Sequence, residues 1–145
     1  MDEQKLIARA LKVLAAQTKT RDSLTSPSAV RDFLRLKLGH KEEECFHVVF
    51  LDSQNRVIAD EELFKGTLSQ CSVYPRVIVR AALRHNAAAV IFSHPHPSGV
   101  AEPSIQDQAL TRTLCEALAL VDVKVLDHFV IAGGNYVSFA ERGLI

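Results

Sequence analysis

An apolar run, Ala87 to Phe92, feeds directly into Ser93-His94-Pro95-His96-Pro97-Ser98-Gly99 and then into Pro103-Ser104-Ile105-Gln106-Asp107. No other stretch restricts the possible folds as much. A short apolar run closed by a Pro/Ser/Gly cluster predicts a buried strand and a turn, and the residues after Pro103 predict a helix running through Leu118. Side chains at i and i+2 of a strand share a face, so His94 and His96 project together. The turn folds the helix start back toward the strand end and carries Asp107 with it. Two imidazoles and a carboxylate suit zinc, and three protein ligands leave a fourth position open for water, which is the pattern of a catalytic site.

Each of these residues also has a plainer explanation. Ser104 and Asp107 have the S-x-x-D spacing of a capping box, which accounts for an acid in a helix's first turn without any metal. Paired histidines at a strand end can be hydrogen-bonded surface groups. Neither explanation accounts for the Pro/Ser/Gly turn between them, whereas a metal site needs it.

The stretch His94-x-His96-Pro97 followed by Ser104-x-x-Asp107 resembles the JAMM signature of the JAB/MPN metalloproteases. His96-Pro97-Ser98-Gly99 followed by Pro103-Ser104-x-x-Asp107 is similar, more narrowly, to the RadC family of bacterial proteins, which have long carried a DNA-repair label. Val49-Phe50-Leu51-Asp52, Leu63-Phe64-Lys65-Gly66-Thr67, Val73-Tyr74-Pro75-Arg76 and Leu126-Asp127-His128 extend the likeness over roughly residues 42 to 140. The resemblance implies an α/β fold of the JAB/MPN, cytidine-deaminase-like kind, a three-layer sandwich of helices around a mixed β-sheet. It implies one zinc ion on His94, His96 and Asp107, and hydrolysis of an amide or isopeptide bond in a peptide or protein substrate. Ser104 matches the serine that hydrogen-bonds the tetrahedral intermediate.

The family's proton-carrying glutamate comes from an early part of the domain, which leaves Asp60, Glu61 and Glu62. Strand parity groups Glu61 with Val57, Ala59 and Leu63, and the other two acids with Ile58 and Phe64. The family pattern of Glu three residues before Phe-x-Gly-Thr falls on Glu61; otherwise the three acids are a solvated edge. The chain departs from the family at Pro95, where RadC proteins usually carry Asn, because proline fixes φ and removes an amide donor. A short form without the helix-hairpin-helix region of longer members, and so with little claim to DNA repair, is expected.

Other metal hydrolases fit the spacing less well. Zinc deaminases need H-x-E and a later P-C-x-x-C. Metallo-β-lactamase-like nucleases want an acid and a third histidine where this chain has Ser98 and Gly99. Amidohydrolases begin with H-x-H on a barrel of about 250 residues, and this chain has 145. A non-catalytic module in DNA or protein complexes is the alternative class, although such scaffolds typically lack the ligands. His47, His85 and His128 are expected outside the ligand set, with His128 a hydrogen-bonded core residue and His40 exposed.

With 48% hydrophobic residues, 145 positions support one compact core. The expected organisation is an N-terminal helical extension over residues 1–41 and one JAB/MPN-like domain over 42–145. Cys45, Cys71 and Cys115 are odd in number and form no C-x-x-C pair, which points to a reducing cytoplasm. No apolar run reaches the roughly 20 residues of a membrane span, and Met1-Asp2-Glu3 lacks the basic start of a signal peptide. Zero net charge conceals a +5 balance over residues 1–41, nine Lys/Arg against four Asp/Glu, and −5 over the remainder, eight against thirteen. The basic arm is expected to bind nucleic acid weakly or not at all, because its charges are spread along helices with few aromatics between them.

Periodicity predicts helices over residues 3–16 and from Ser26 or Ser28 to Gly39, joined by a polar connector from Thr18 to Ser28. Strands follow over Phe46–Leu51 and Arg56–Phe64 around an Asp52–Asn55 turn. A helix opens at Pro75 with Val77, Ile78, Ala81 and Leu83 inward and closes at a left-handed Asn86. Two further strands, Val123–Ile131 and Tyr136–Phe139, complete a ββαβαββ order.

Overall fold

A computed structural model describes residues 2–20, 27–66 and 73–145, leaving aside the side chains of residues 15–20 and 27. Its elements are α1 (Glu3–Thr20), α2 (Pro27–Leu38), β1 (Cys45–Leu51), β2 (Val57–Lys65), α3 (Pro75–Arg84), β3 (Ala89–Pro95), α4 (Ile105–Ala119), β4 (Lys124–Ala132) and β5 (Asn135–Ser138). After two helices the order is the expected ββαβαββ. The strands form one mixed sheet, β2-β1-β3-β4-β5. Only β3 and β4 run parallel, because a whole helix, α4, connects them; the other neighbours are antiparallel.

Both faces of the sheet are covered, which makes three layers. On one face, Ile78, Ala81 and Ala82 of α3 and Leu114 and Leu118 of α4 bury against Phe46, Val48, Phe50, Val90 and Phe92. On the other, Val30, Leu34 and Leu38 of α2 bury against Cys45, Val49, Leu51, Ala89, Ile91, Phe129 and Ile131. β1 and β3 are therefore buried on both sides, and their near-continuous apolar sequences follow from that. Each α2 side chain so buried contributes about 1.5–3 kcal/mol, which exceeds what a 12-residue helix gains from propensity alone. Thus α2, although within residues 1–41, supplies the sheet's second covering layer.

Several boundaries differ from the sequence reading. α1 continues to Thr20, four residues beyond expectation. Leu83 is 57% exposed and not inward, because Ile78, Ala81 and Ala82 occupy the i, i+3, i+4 stripe and Leu83 lies one residue past it. Ser26, Thr67 and Cys71 lie outside the described residues. Asn86 closes α3 in the left-handed region, at φ 52°, as expected. Gly39 ends α2 for a steric reason: a Cβ there would sit 2.5 Å from the carbonyl oxygen of Arg35 and 2.7 Å from that of Gly133. The helix end and the β4–β5 turn approach each other too closely for any side chain.

Candidate metal centre

β3 delivers His94 and His96 to one end of the sheet. The parallel ladder runs through His94↔Val130 and Pro95↔Ile131, and one residue later the His96 amide donates to the Ile131 carbonyl at 2.7 Å. Amides of successive strand residues point to opposite neighbours, so an amide at position 95 would face β1. Pairing between β1 and β3 ends at His47↔Ser93. Pro95 nonetheless keeps its place in the ladder with β4, opposite Ile131, so the departure from the family pattern leaves that side of the strand end intact.

Asp107 arrives on the first turn of α4 and does two jobs there. The Ser104 hydroxyl oxygen accepts from the Asp107 amide at 3.0 Å, while Asp107 Oδ2 accepts from the Ser104 amide at 2.8 Å. This reciprocal capping box is what the bland reading required. The same carboxylate also reaches the histidines, with Oδ1 3.4 Å from His94 Nε2 and Oδ2 3.2 Å from His96 Nε2. Capping fixes the carboxylate and the turn aims it, so the two readings describe one geometry. His94, His96 and Asp107 each offer a ligand atom within 4.8 Å of the others, the one such group among the described residues.

The outer nitrogens of both imidazoles are engaged. His96 Nδ1 lies 2.9 Å from the Val100 carbonyl oxygen, and His94 Nδ1 lies 2.7 Å from His128 Nε2. A carbonyl only accepts, so His96 Nδ1 carries the proton and its Nε2 presents a lone pair. That lone pair faces His94 Nε2 across 3.0 Å. Two nitrogens and a carboxylate converging at this range form a donor set for a cation, and neutral imidazole with carboxylate suits zinc. Burial alone would raise the Asp107 carboxyl, but the two imidazoles beside it, His94 and His96, favour the carboxylate and hold it well below the usual range. His96 is raised, chiefly by its hydrogen bond to Asp107 and against the effect of its burial.

Glu61 lies on the same sheet face as this cluster, in register with Val48, which is itself in register with Phe92. Its carboxylate meets Arg84 at 2.8 Å and His85 at 3.0 Å, not the metal centre. Asp60 and Glu62 point to the α2 side, where Asp60 pairs with Lys37 and Glu62 with Lys41 and Lys65. The parity argument thus separates the three acids correctly. His47, buried, sits 2.9 Å from Asp60; His40 is exposed. His128 is fully buried between Phe46, Phe92 and Phe139, and burial, then the neighbouring His94, pushes its imidazole well below its ordinary value. Sequence reasoning made it a core histidine but missed its bond to His94. Thr111, also missed, sits four residues after Asp107 on the same face of α4 and contacts His128 Nδ1 at 2.6 Å. The i, i+4 spacing from Asp107 was the available signal.

Residues 24–144 match the RadC-like JAB domain family. A UPF0758 protein of Thiobacillus denitrificans is 61% identical over 140 residues, covering 97% of this chain and 62% of that protein. UPF0758 proteins of Nitrosomonas eutropha and Leptothrix cholodnii are 59% and 55% identical, covering 98% of this chain and 63% and 64% of theirs. The chain therefore spans a little over three-fifths of the length of the curated relatives it matches.

Proposed function

The chain belongs to the RadC-like JAB domain family, and on that premise we propose that it is a zinc-dependent hydrolase of peptide or isopeptide bonds. The observation that carries the reading is the pair of Nε2 atoms 3.0 Å apart beside the Asp107 carboxylate. Two lone pairs held at that distance repel unless a cation or a proton lies between them. Zinc so held supplies a Lewis acid that polarises a carbonyl and lowers the pKa of water to about 7.

The chain's own residues have the remaining roles. His94, His96 and Asp107 hold the ion, and the hydrogen bonds behind them keep the donors aimed. The Ser104 oxygen accepts from Asp107, so its own proton remains available to donate to a developing oxyanion at the exposed helix start. Glu61 is assigned the proton transfer from water to the leaving amine, which requires its carboxylate to turn from Arg84 and His85. That engagement is the specific observation behind a second reading, in which the chain is a non-catalytic RadC-type module of a DNA-repair or protein complex.

The test is elemental analysis of the purified protein. About one zinc per chain is expected in the wild type and none in a His94→Ala, His96→Ala double variant that remains folded by circular dichroism. Equal zinc in both proteins refutes the ligand assignment.

A further inference from the structure

We propose that Thr111 and His128 are positioning residues that hold His94 with its proton on Nδ1 and its Nε2 lone pair aimed into the metal centre. The inference rests on the metal reading above and adds to it two residues that lie behind the ligands and outside the ligand set.

It follows from the direction of three hydrogen bonds. Thr111 Oγ1 lies 2.8 Å from the Asp107 carbonyl oxygen, and a carbonyl cannot donate. Two oxygens at that range without a proton between them repel, so the single hydroxyl proton is committed to Asp107. The hydroxyl oxygen then faces His128 Nδ1, at 2.6 Å, as an acceptor only, and Nδ1 must carry hydrogen. A neutral imidazole has one N–H, and His128 is walled by Phe46, Phe92 and Phe139. Its Nε2 is consequently an acceptor, and the His94 Nδ1 that approaches it at 2.7 Å is the donor.

The consequence is a closed circuit. It begins at the backbone of one ligand, Asp107, and ends at the ring of another, His94, and each step is buried. Reversing one proton reverses all of them. If Thr111 could not accept, His128 would be free to carry its proton on Nε2 and donate to His94 Nδ1. The His94 proton would then sit on Nε2 and occupy the coordinating position.

Thr111→Val tests this without changing side-chain volume or any ligand. Long-range nitrogen–proton correlation spectra of the zinc-free protein report each histidine's tautomer directly. His94 is expected to carry hydrogen on Nδ1 in the wild type and to lose it from Nδ1, with hydrogen on Nε2, in Thr111→Val. Zinc affinity, measured by chelator competition, should fall about 10- to 100-fold in that variant, the usual effect of losing such a supporting bond. Thr111→Ser, which restores the hydroxyl, should return both readouts toward wild type. His128→Phe removes the acceptor within an aromatic pocket and should also weaken zinc binding. A His94 without hydrogen on Nδ1 in the zinc-free wild type overturns the proposal, as does unchanged zinc affinity in Thr111→Val. If the wild type binds no zinc, the metal reading fails, while the tautomer spectra still decide the orientation of the circuit.

Discussion

The Glu61 carboxylate sits between Arg84 and His85 on the metal centre's side of the sheet, so a structural and a catalytic role overlap in one side chain. Glu61→Gln keeps its size and hydrogen bonding but cannot accept a proton. On the catalytic assignment, zinc content stays unchanged while peptide hydrolysis falls by about 10² to 10⁴. Asp60→Asn and Glu62→Gln, whose side chains meet Lys37 and Lys41 on the opposite face, should leave the rate near wild type. If Glu61→Gln only lowers the melting temperature, its ion pair is its whole contribution. At this scale the sequence was most legible where chemistry and spacing coincide. His94 and His96 are forced onto one face by a period of two, and the acid at Asp107 is forced near them by the turn. His128 was legible only as a buried histidine, because its contact with His94 crosses from β4 to β3 and involves a helix residue, Thr111. No spacing along one strand encodes that.

Secondary structure was read nearly in full because the apolar patterns of the central strands are uninterrupted. What the patterns lack is information on how elements meet. α2 is locked to β2 by such a meeting, through Asp60, which faces both Lys37 and the buried His47. Burial, the largest influence, would raise the Asp60 carboxyl, but His47 and the Lys37 ammonium override it and hold the group well below the usual range. A carboxylate depressed in the folded state stabilises above its unfolded pKa of about 3.9 and loses that contribution as pH falls through the folded value. Asp107 and Asp52 are depressed as well, so the pH dependence of the wild type alone does not isolate Asp60. The informative quantity is therefore the difference between wild type and Asp60→Asn in urea unfolding. That difference should be largest above about pH 4 and shrink as the pH is lowered further. A difference that stays constant from neutral pH down to about pH 2 would show that Asp60 acts there without its charge.

Over the whole molecule, the +5 of residues 1–41 and the −5 of the rest are partly spent on each other. Lys37 pairs with Asp60 and Lys41 with Glu62, so cations of the N-terminal region close onto acids of β2. Arg31 and Arg35 lean on the other end of the sheet, where Arg31 donates to the Tyr136 hydroxyl and Arg35 to the Gly134 carbonyl. No helix among the described residues is long and apolar enough to cross a membrane. The charge imbalance thus serves packing between α2 and the sheet, and each cation used this way is one fewer to neutralise a phosphate. Every phosphate contact adds about 0.9 to the slope of log affinity against log salt. Fluorescence anisotropy with labelled duplex and single-stranded DNA should therefore give weak, sequence-indifferent binding that disappears as salt is raised toward physiological strength. Substituting Lys37 and Lys41 by Gln should leave that binding nearly unchanged, since both already face carboxylates. Tight, sequence-specific binding that survives high salt would mean that the N-terminal cations address a nucleic acid after all, and would favour the non-catalytic reading over the hydrolase.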